Sequence, residues 1–244
     1  MSRPGEADDP RRRILVQALS LGVLAGAPGL QQARADVFGS SPSKLPPGQS
    51  IYRLTGNAKV NGTPATMRSL IVPGDTVETG ASSEMVFAVA GSAYVLRASS
   101  KLEIEKSSAT AIVVSGLRML TGRVLAVFGK SSEPIRLQTF TATIGIRGTG
   151  VYMESDPERT YFCTCYGVTD IAAKADPQST DTVSAKHHDK PLYIIAGASA
   201  GKNIRRAPFI NHSDQELMLI ETLVGRTPPF VFPGDDYSVP RRDY

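Results

Sequence analysis

The stretch Thr139–Ile171, which reads TFTATIGIRGTGVYMESDPERTYFCTCYGVTDI, decides how the rest of the chain is interpreted. Its segments Thr139–Ile146 and Val151–Glu154 are rich in β-branched and aromatic residues, which favour strands. The cluster Gly145–Gly150 between them predicts a tight turn. A phosphate-binding loop is not expected there, because strand sequence and not a helix follows the glycines.

The second half of this stretch predicts a strand over Tyr161–Tyr166 that Gly167 ends. Residues two apart in a strand lie on the same face of a sheet, so Cys163 and Cys165 are expected to present both sulfurs together. The residues expected on the opposite face are Phe162, Thr164 and Tyr166.

The rest of the chain carries short apolar segments from Ile51 onward, separated by Gly, Ser or Asn-Gly. Apolar residues make up 41% of the 244 residues, which is enough for a core, and 22 Gly with 17 Pro predict many turns. This pattern predicts a mostly β fold, either a β-sandwich or a solenoid-like stack of short strands. One short C-terminal helix is expected after the capping box Ser213–Glu216, with Gly225 ending it.

Two motifs resemble the FecR domain, the periplasmic β-domain of bacterial iron-citrate sensors. Ile146–Thr149 (IRGT), with the apolar strands after it, is similar to the core of that domain, and Pro73–Ser83 is similar to an upstream turn-strand-turn. The resemblance covers about residues 51–172 and implies a FecR-like β-domain. One departure is Ala90-Gly91-Ser92, where the family usually has Asp-Gly-Ser. The residues that the resemblance implies as structural are Gly74, Asp75, Thr79, Gly80, Arg147, Gly148 and Thr149, with the Arg147 and Thr149 side chains expected to hydrogen-bond neighbouring turns.

Residues 1–35 are predicted to be an export signal. Arg11–Leu15 precedes a short apolar run, and Ala33–Ala35 supplies small residues for cleavage before Asp36. The arginine pair resembles a twin-arginine signal, and a general secretory signal is the alternative. Either signal implies a periplasmic location.

Removal of that segment leaves 22 basic and 20 acidic residues, a net charge of +2. So small an excess does not predict a nucleic-acid partner, and no integral membrane span is expected after signal cleavage. The predicted organisation is a flexible leader at 36–50, the FecR-like β-domain at 51–172, a C-terminal extension of strand and short helix at 173–226, and a Pro-rich tail at 227–244.

All cysteines and histidines lie between residues 163 and 212. Cys163 and Cys165, with His187 or His188, fit a Zn or Cu site by ligand type, and His212 lies further along. Adjacent histidines on a strand face opposite ways, so only one of the pair is expected to join. A structural or redox disulfide is the second interpretation, and a pair of buried, inert thiols beside a solvated histidine loop is the third.

No nucleophile, base and orienting group appear in a catalytic pattern, so no catalytic residue is predicted and the chain is expected not to be an enzyme. The first hypothesis is a periplasmic FecR-domain binding or signalling module, with another envelope protein as partner. The alternative is a periplasmic metal-binding or thiol-redox protein. Signalling members of the family carry a cytoplasmic regulator-binding segment and a transmembrane helix before this domain. Neither is predicted here, so direct control of a sigma factor is not expected.

Overall fold

The computed structural model describes residues 42–108, 113–129, 134–198 and 201–230. The predicted export signal (1–35) and the tail from 231 onward lie outside the described residues. The structure describes the predicted leader from residue 42 onward. Contacts of Leu45 fix this part of the leader on the rest of the chain. The backbone N–H of Leu45 donates to the Leu223 carbonyl at 3.0 Å, and the Leu45 side chain packs against the core.

The described residues form fourteen strands and one α-helix, which confirms the mostly β prediction with a short C-terminal helix. The strands are β1 (Ile51–Thr55), β2 (Ala58–Val60), β3 (Thr63–Pro64), β4 (Thr76–Thr79), β5 (Glu84–Val89), β6 (Ser92–Leu96), β7 (Lys101–Lys106), β8 (Val114–Val127), β9 (Ile135–Gln138), β10 (Ala142–Ser155), β11 (Arg159–Ala173), β12 (Thr180–Ala185), β13 (Leu192–Ile195) and β14 (Ile204–Arg206), and the helix is α1 (Asp214–Leu223).

All fourteen strands belong to one hydrogen-bonded network, with a main path β14-β13-β11-β10-β9-β8-β7-β4-β2-β3. The pairs are antiparallel except β8 with β9. The three long strands change partners midway: β8 leaves β7 for β6, β10 leaves β9 for β8, and β11 pairs with both β13 and β12. Strands of the predicted extension, β12 and β13, therefore pair directly with the predicted β-domain.

The glycine cluster lies inside a strand and not at a turn. Between Arg147 and Gly150, β10 has one residue more than β11, which makes a β-bulge. Gly148 takes a φ of 59° there and Gly167, across the ladder, takes a φ of 94°. Glycine adopts these angles without a steric penalty, so the chain absorbs the extra residue and both strands continue. The predicted tight turn and the predicted strand end at Gly167 are both wrong for this reason.

The two faces of the sheet bury different side chains. One face, the aliphatic face, packs a core in which aliphatic side chains such as Leu117 outnumber rings such as Phe87 and Phe162. The other face carries Tyr152, Tyr161 and the two cysteines, together with the apolar side of α1. Because β5 and β6 contribute to both clusters, the sheet is covered on both sides at this point.

Helix α1 begins as the capping box predicts. The backbone N–H of Ser213 donates to the Glu216 carboxylate at 3.1 Å, and Gly225, with a φ of 75°, follows the last turn. Leu217, Ile220 and Leu223 are buried against the sheet. In the part of the chain that the structure describes, no helix has the length and apolar character to cross a membrane.

Candidate metal centre

A second bulge places the two cysteines. In the ladder between β10 and β11, Gly150 lies opposite Tyr166 and Val151 opposite Thr164, so Cys165 is the extra residue of β11. Cys163 and Cys165 lie in the same side-chain cluster, as predicted, and both are fully buried free thiols. The bulge also turns Tyr166 into that cluster, so the prediction that Tyr166 faces the other way is wrong.

A turn after β12 brings in the histidine pair. The Asp189 carboxylate accepts the backbone N–H groups of Lys186 and His187 at 2.6 and 3.3 Å, which closes the turn. His188 has a φ of 53°, and its N–H donates to the Cys165 carbonyl at 2.9 Å. This bond fixes the turn on β11, and the His188 Nδ1 atom lies 3.5 Å from the Cys163 Sγ atom.

His212 comes from the segment just before α1. Its ring stacks on Tyr152 with centroids 4.5 Å apart and planes 17° apart. Its Nδ1 atom lies 2.7 Å from the Ile210 carbonyl oxygen, and its Nε2 atom lies 3.1 Å from the His188 Nδ1 atom. One ligand atom from each of four residues, Cys163, Cys165, His188 and His212, therefore lies within 4.8 Å of all the others.

The hydrogen bonds around the two imidazoles fix which ring nitrogens carry protons. The Ile210 carbonyl can only accept, so Nδ1 of His212 is a donor. An ionised Asp214 can only accept, so Nε2 of His188, 3.0 Å from its Oδ1 atom, is also a donor. In neutral rings the other nitrogens are then lone pairs, and these face each other at 3.1 Å. Two lone pairs at that distance repel unless a proton or a metal ion lies between them.

Two distances within the group match tetrahedral zinc. With Zn–N of about 2.05 Å and Zn–S of about 2.3 Å, tetrahedral angles put two nitrogens about 3.3 Å apart and a sulfur and a nitrogen about 3.6 Å apart. The observed distances are 3.1 Å between His188 Nδ1 and His212 Nε2, and 3.5 Å between Cys163 Sγ and His188 Nδ1. Small shifts of the four side chains would complete the coordination of one ion.

Electrostatics around the thiols favour a charged Cys163. Burial raises the pKa of the Cys163 thiol, but hydrogen bonds with Cys165, His188 and His212 outweigh burial and hold that pKa well below its ordinary value. The pKa of Cys165 is raised well above its ordinary value, first by burial and then by its neighbour Cys163. Burial lowers the pKa of His188, but the bonds to Cys163 and Asp214 raise it overall. Both shifts act in the same direction, because each favours the charged form of its group.

Asp214 is the functional residue that sequence reasoning missed. Its buried carboxylate bridges the Nε2 atoms of His187 and His188 at 2.8 and 3.0 Å. A carboxylate that orients a ligating imidazole from behind is a frequent second partner in metal sites. The capping box identified Asp214 as the first residue of a helix, and nothing in the sequence indicated that this helix starts beside the histidines.

The predicted metal residues do not all meet. Cys163, Cys165 and His188 do, and His212 joins them. His187 lies outside the four-residue group and forms a second cluster with His188 and Asp214. One member of the histidine pair joins the thiols, as expected, although both histidines lie on a turn rather than on a strand.

The residues that the FecR resemblance implies at the upstream motif make specific contacts. Asp75 accepts from Asn61 and from the Val72 backbone, each at 2.8 Å, and Gly74 has a φ of 105°. Thr79 donates to the Arg97 carbonyl, and a Cβ on Gly80 would lie 1.9 Å from the Asn57 Oδ1 atom.

At the second motif the expected hydrogen bonds do not form within the described part of the chain. The Arg147 side chain is exposed and has no hydrogen-bond partner among the described residues. The buried Thr149 hydroxyl has no partner among them either. The Thr149 side chain instead packs against Gly167, where an added Cβ would lie 2.4 Å from its methyl group. The bulge directs this threonine into an apolar contact, which is why the expectation is wrong.

Comparison with known proteins gives few matches. No known family profile matches the chain, and no curated protein matches it. Two crystal structures of a proposed anti-sigma factor from Parabacteroides distasonis ATCC 8503 are similar. One is 10% identical with a TM-score of 0.45, over 61% of this chain and 74% of that chain. The other is 12% identical with a TM-score of 0.45, over 69% of this chain and 84% of that chain.

Proposed function

We propose that this chain is an exported, non-enzymatic β-domain that binds one transition-metal ion through Cys163, Cys165, His188 and His212. The observation that carries the proposal is the approach of two ring nitrogens, His188 Nδ1 and His212 Nε2, to 3.1 Å, with the Cys163 sulfur 3.5 Å from the first of them. Two thiols and two imidazoles in a compact group are the donor set of structural zinc sites. Copper(I) shares the preference for thiolates and is the alternative ion.

The burial of the ligands indicates a structural rather than a catalytic ion. Three of the four ligand residues are buried, and the side chain of His188 is 8% exposed. Four protein ligands fill a tetrahedral shell and leave no position for water or substrate. The ion would link β11, the turn after β12 and the start of α1, so its binding energy would contribute to the stability of this face.

The test is metal analysis of protein purified without a histidine tag. The wild type is expected to hold about one zinc or copper ion per chain, and Cys163→Ser and His212→Gln are expected to lose it. His187→Gln is the matched control, because His187 contacts the same carboxylate but lies outside the four ligands, and it is expected to keep the ion. Metal-free wild-type protein with two titratable thiols would contradict the proposal. Protein with no titratable thiol would favour the disulfide interpretation.

A second proposal concerns the context in which the site works. We infer that the domain is a FecR-like periplasmic module that engages another envelope protein. The upstream sequence motif supports this, because the turn at Gly74 and Asp75 has the glycine conformation and side-chain bonds expected of a structural motif. Co-purification from envelope extracts tests it, and recovery of the protein from the cytoplasm alone would contradict it.

A further inference from the structure

A cavity of about 630 Å³ lies beside the metal centre without containing any of its four ligands. Such a volume is within the range of small-molecule sites in proteins. The lining residues on which its chemistry depends are Phe128, Tyr166, Lys186, Glu221, Arg226 and Phe230.

The walls of the cavity suit a flat aromatic ring. The Phe230 ring lies 5.9 Å from Tyr166 and 5.0 Å from His187, so three rings form one continuous wall. Gly148 and Gly167 also line the cavity and present backbone only. At Gly167 a Cβ would meet the Thr149 methyl group at 2.4 Å, so this part of the floor has no room for a side chain. Aromatic rings gain from such ring contacts beyond the burial of their area.

The charges around the cavity favour an anion. Lys186 and Arg226 are cationic, and Glu221 is the single carboxylate among the lining residues. That carboxylate is already bonded to the Tyr166 hydroxyl and to the Arg226 Nε atom, the latter at 2.6 Å. Arg226 also donates from Nη1 to the Gly91 carbonyl at 2.7 Å, while its buried Nη2 atom has no partner among the described residues. A cationic ligand would therefore find no available carboxylate, whereas an anion would face the positive charges of Lys186 and Arg226.

We propose that this cavity binds a small aromatic anion, an aryl carboxylate in chemical class. The ring would lie between the aromatic wall and the glycine floor, and the carboxylate would face Lys186 and Arg226. The cavity and the metal centre are neighbours because His187 and His188 share Asp214. They use different residues to bind, so each proposal can fail without the other.

The test is calorimetric titration of the full chain with 2-naphthoate, and with 2-naphthalenemethanol as a neutral analogue of the same shape. The expected result is one naphthoate per chain, with the neutral compound at least about tenfold weaker. No binding of naphthoate, or equal affinities for the two compounds, would overturn the proposal.

Matched variants locate the binding site. Phe230→Ala is expected to weaken naphthoate about tenfold, and Phe140→Ala, at a half-exposed ring elsewhere, to have no effect. Lys186→Gln is expected to weaken it about threefold to tenfold, and Lys59→Gln, on the exposed face of β2, to have none. Equal losses in the controls and in the cavity variants would place binding elsewhere and overturn the proposal.

Discussion

The two faces of strand β11 differ in how they are built. Phe162 enters an aliphatic core whose members follow the local alternation of apolar residues along each strand. Cys163, one residue further, enters a cluster of tyrosines, histidines and the buried Asp214 that comes from segments about 25–50 residues apart. The first face gains stability from burial of apolar area. The second face, the polar face, holds polar and charged groups that stay buried only because each has a specific partner. The comparison teaches that one face of a sheet can supply stability while the other supplies chemistry.

The largest difference between the faces is expected in metal-free stability. Phe162→Ala removes a fully buried ring from the aliphatic core and is expected to lower the free energy of unfolding by about 3–5 kcal/mol. Cys163→Ser, at the adjacent residue, is expected to cost about 1 kcal/mol in the absence of metal. Urea unfolding of both variants in the presence of a chelator measures this. Equal losses would mean that the cysteine face contributes as much packing as the aliphatic face.

Added zinc is expected to reverse that ranking. A ligand that binds only the folded state stabilises it by about 4 kcal/mol at a free concentration one thousand times its dissociation constant. The wild type and Phe162→Ala are expected to gain the same increment, because the ligands lie on the opposite face. Cys163→Ser is expected to gain little. Thermal unfolding with and without zinc checks this, and an increment in Cys163→Ser like that of the wild type would show that zinc binds elsewhere.

The buried carboxylate of Asp214 provides a third test of the difference between the two faces. Asp214→Asn is expected to weaken zinc binding about 10–100-fold, because the amide no longer holds His188 with its Nδ1 lone pair toward the thiols. Competition with a chromophoric chelator measures the affinity. His187→Gln is the control, since it removes the other partner of Asp214 and leaves the His188 contact. Unchanged affinity in Asp214→Asn would contradict the orienting role.

The smallest expected effect is at the edge of the polar face. Burial raises the pKa of Glu84, but bonds with Arg97 and Arg53 outweigh it and lower that pKa below its ordinary value of 4.5. A carboxyl with a lowered folded pKa stabilises the fold fully above its unfolded pKa, and this contribution is lost as the pH falls through the folded value. Arg97 also lies 2.8 Å from Glu216 of α1, so the ion pair of Glu84 with Arg97 helps to hold the helix on the sheet.

Glu84→Gln is therefore expected to lower stability near pH 7 and to flatten the loss of stability below pH 4.5. Denaturant unfolding between pH 3 and pH 7 measures this slope. Glu78→Gln, at a half-exposed ion pair with Lys101, is the control and is expected to leave the stability at pH 7 nearly unchanged, because exposed ion pairs contribute little. The same acid slope in Glu84→Gln and the wild type would contradict the assignment.

The sequence predicts the aliphatic face well, because its pattern is local. The alternation around Cys163 placed both sulfurs on one side, and the capping box at Ser213 placed the helix. What it could not predict is the two bulges, since an extra residue in a ladder depends on the partner strand. The bulge at Cys165 turns Tyr166 over, and the bulge near Gly148 replaces a predicted turn. The roles of His212 and Asp214 depend on how α1 docks on the sheet, and local sequence does not carry that information.

The central claim is that one ion is held by two sulfurs and two nitrogens on the polar face of the sheet. X-ray absorption at the zinc edge of the loaded, untagged protein tests it most directly, because the spectrum reports the number and distance of each ligand type. The account predicts two sulfurs at about 2.3 Å and two nitrogens at about 2.0–2.1 Å. A shell of nitrogen and oxygen without sulfur would contradict it.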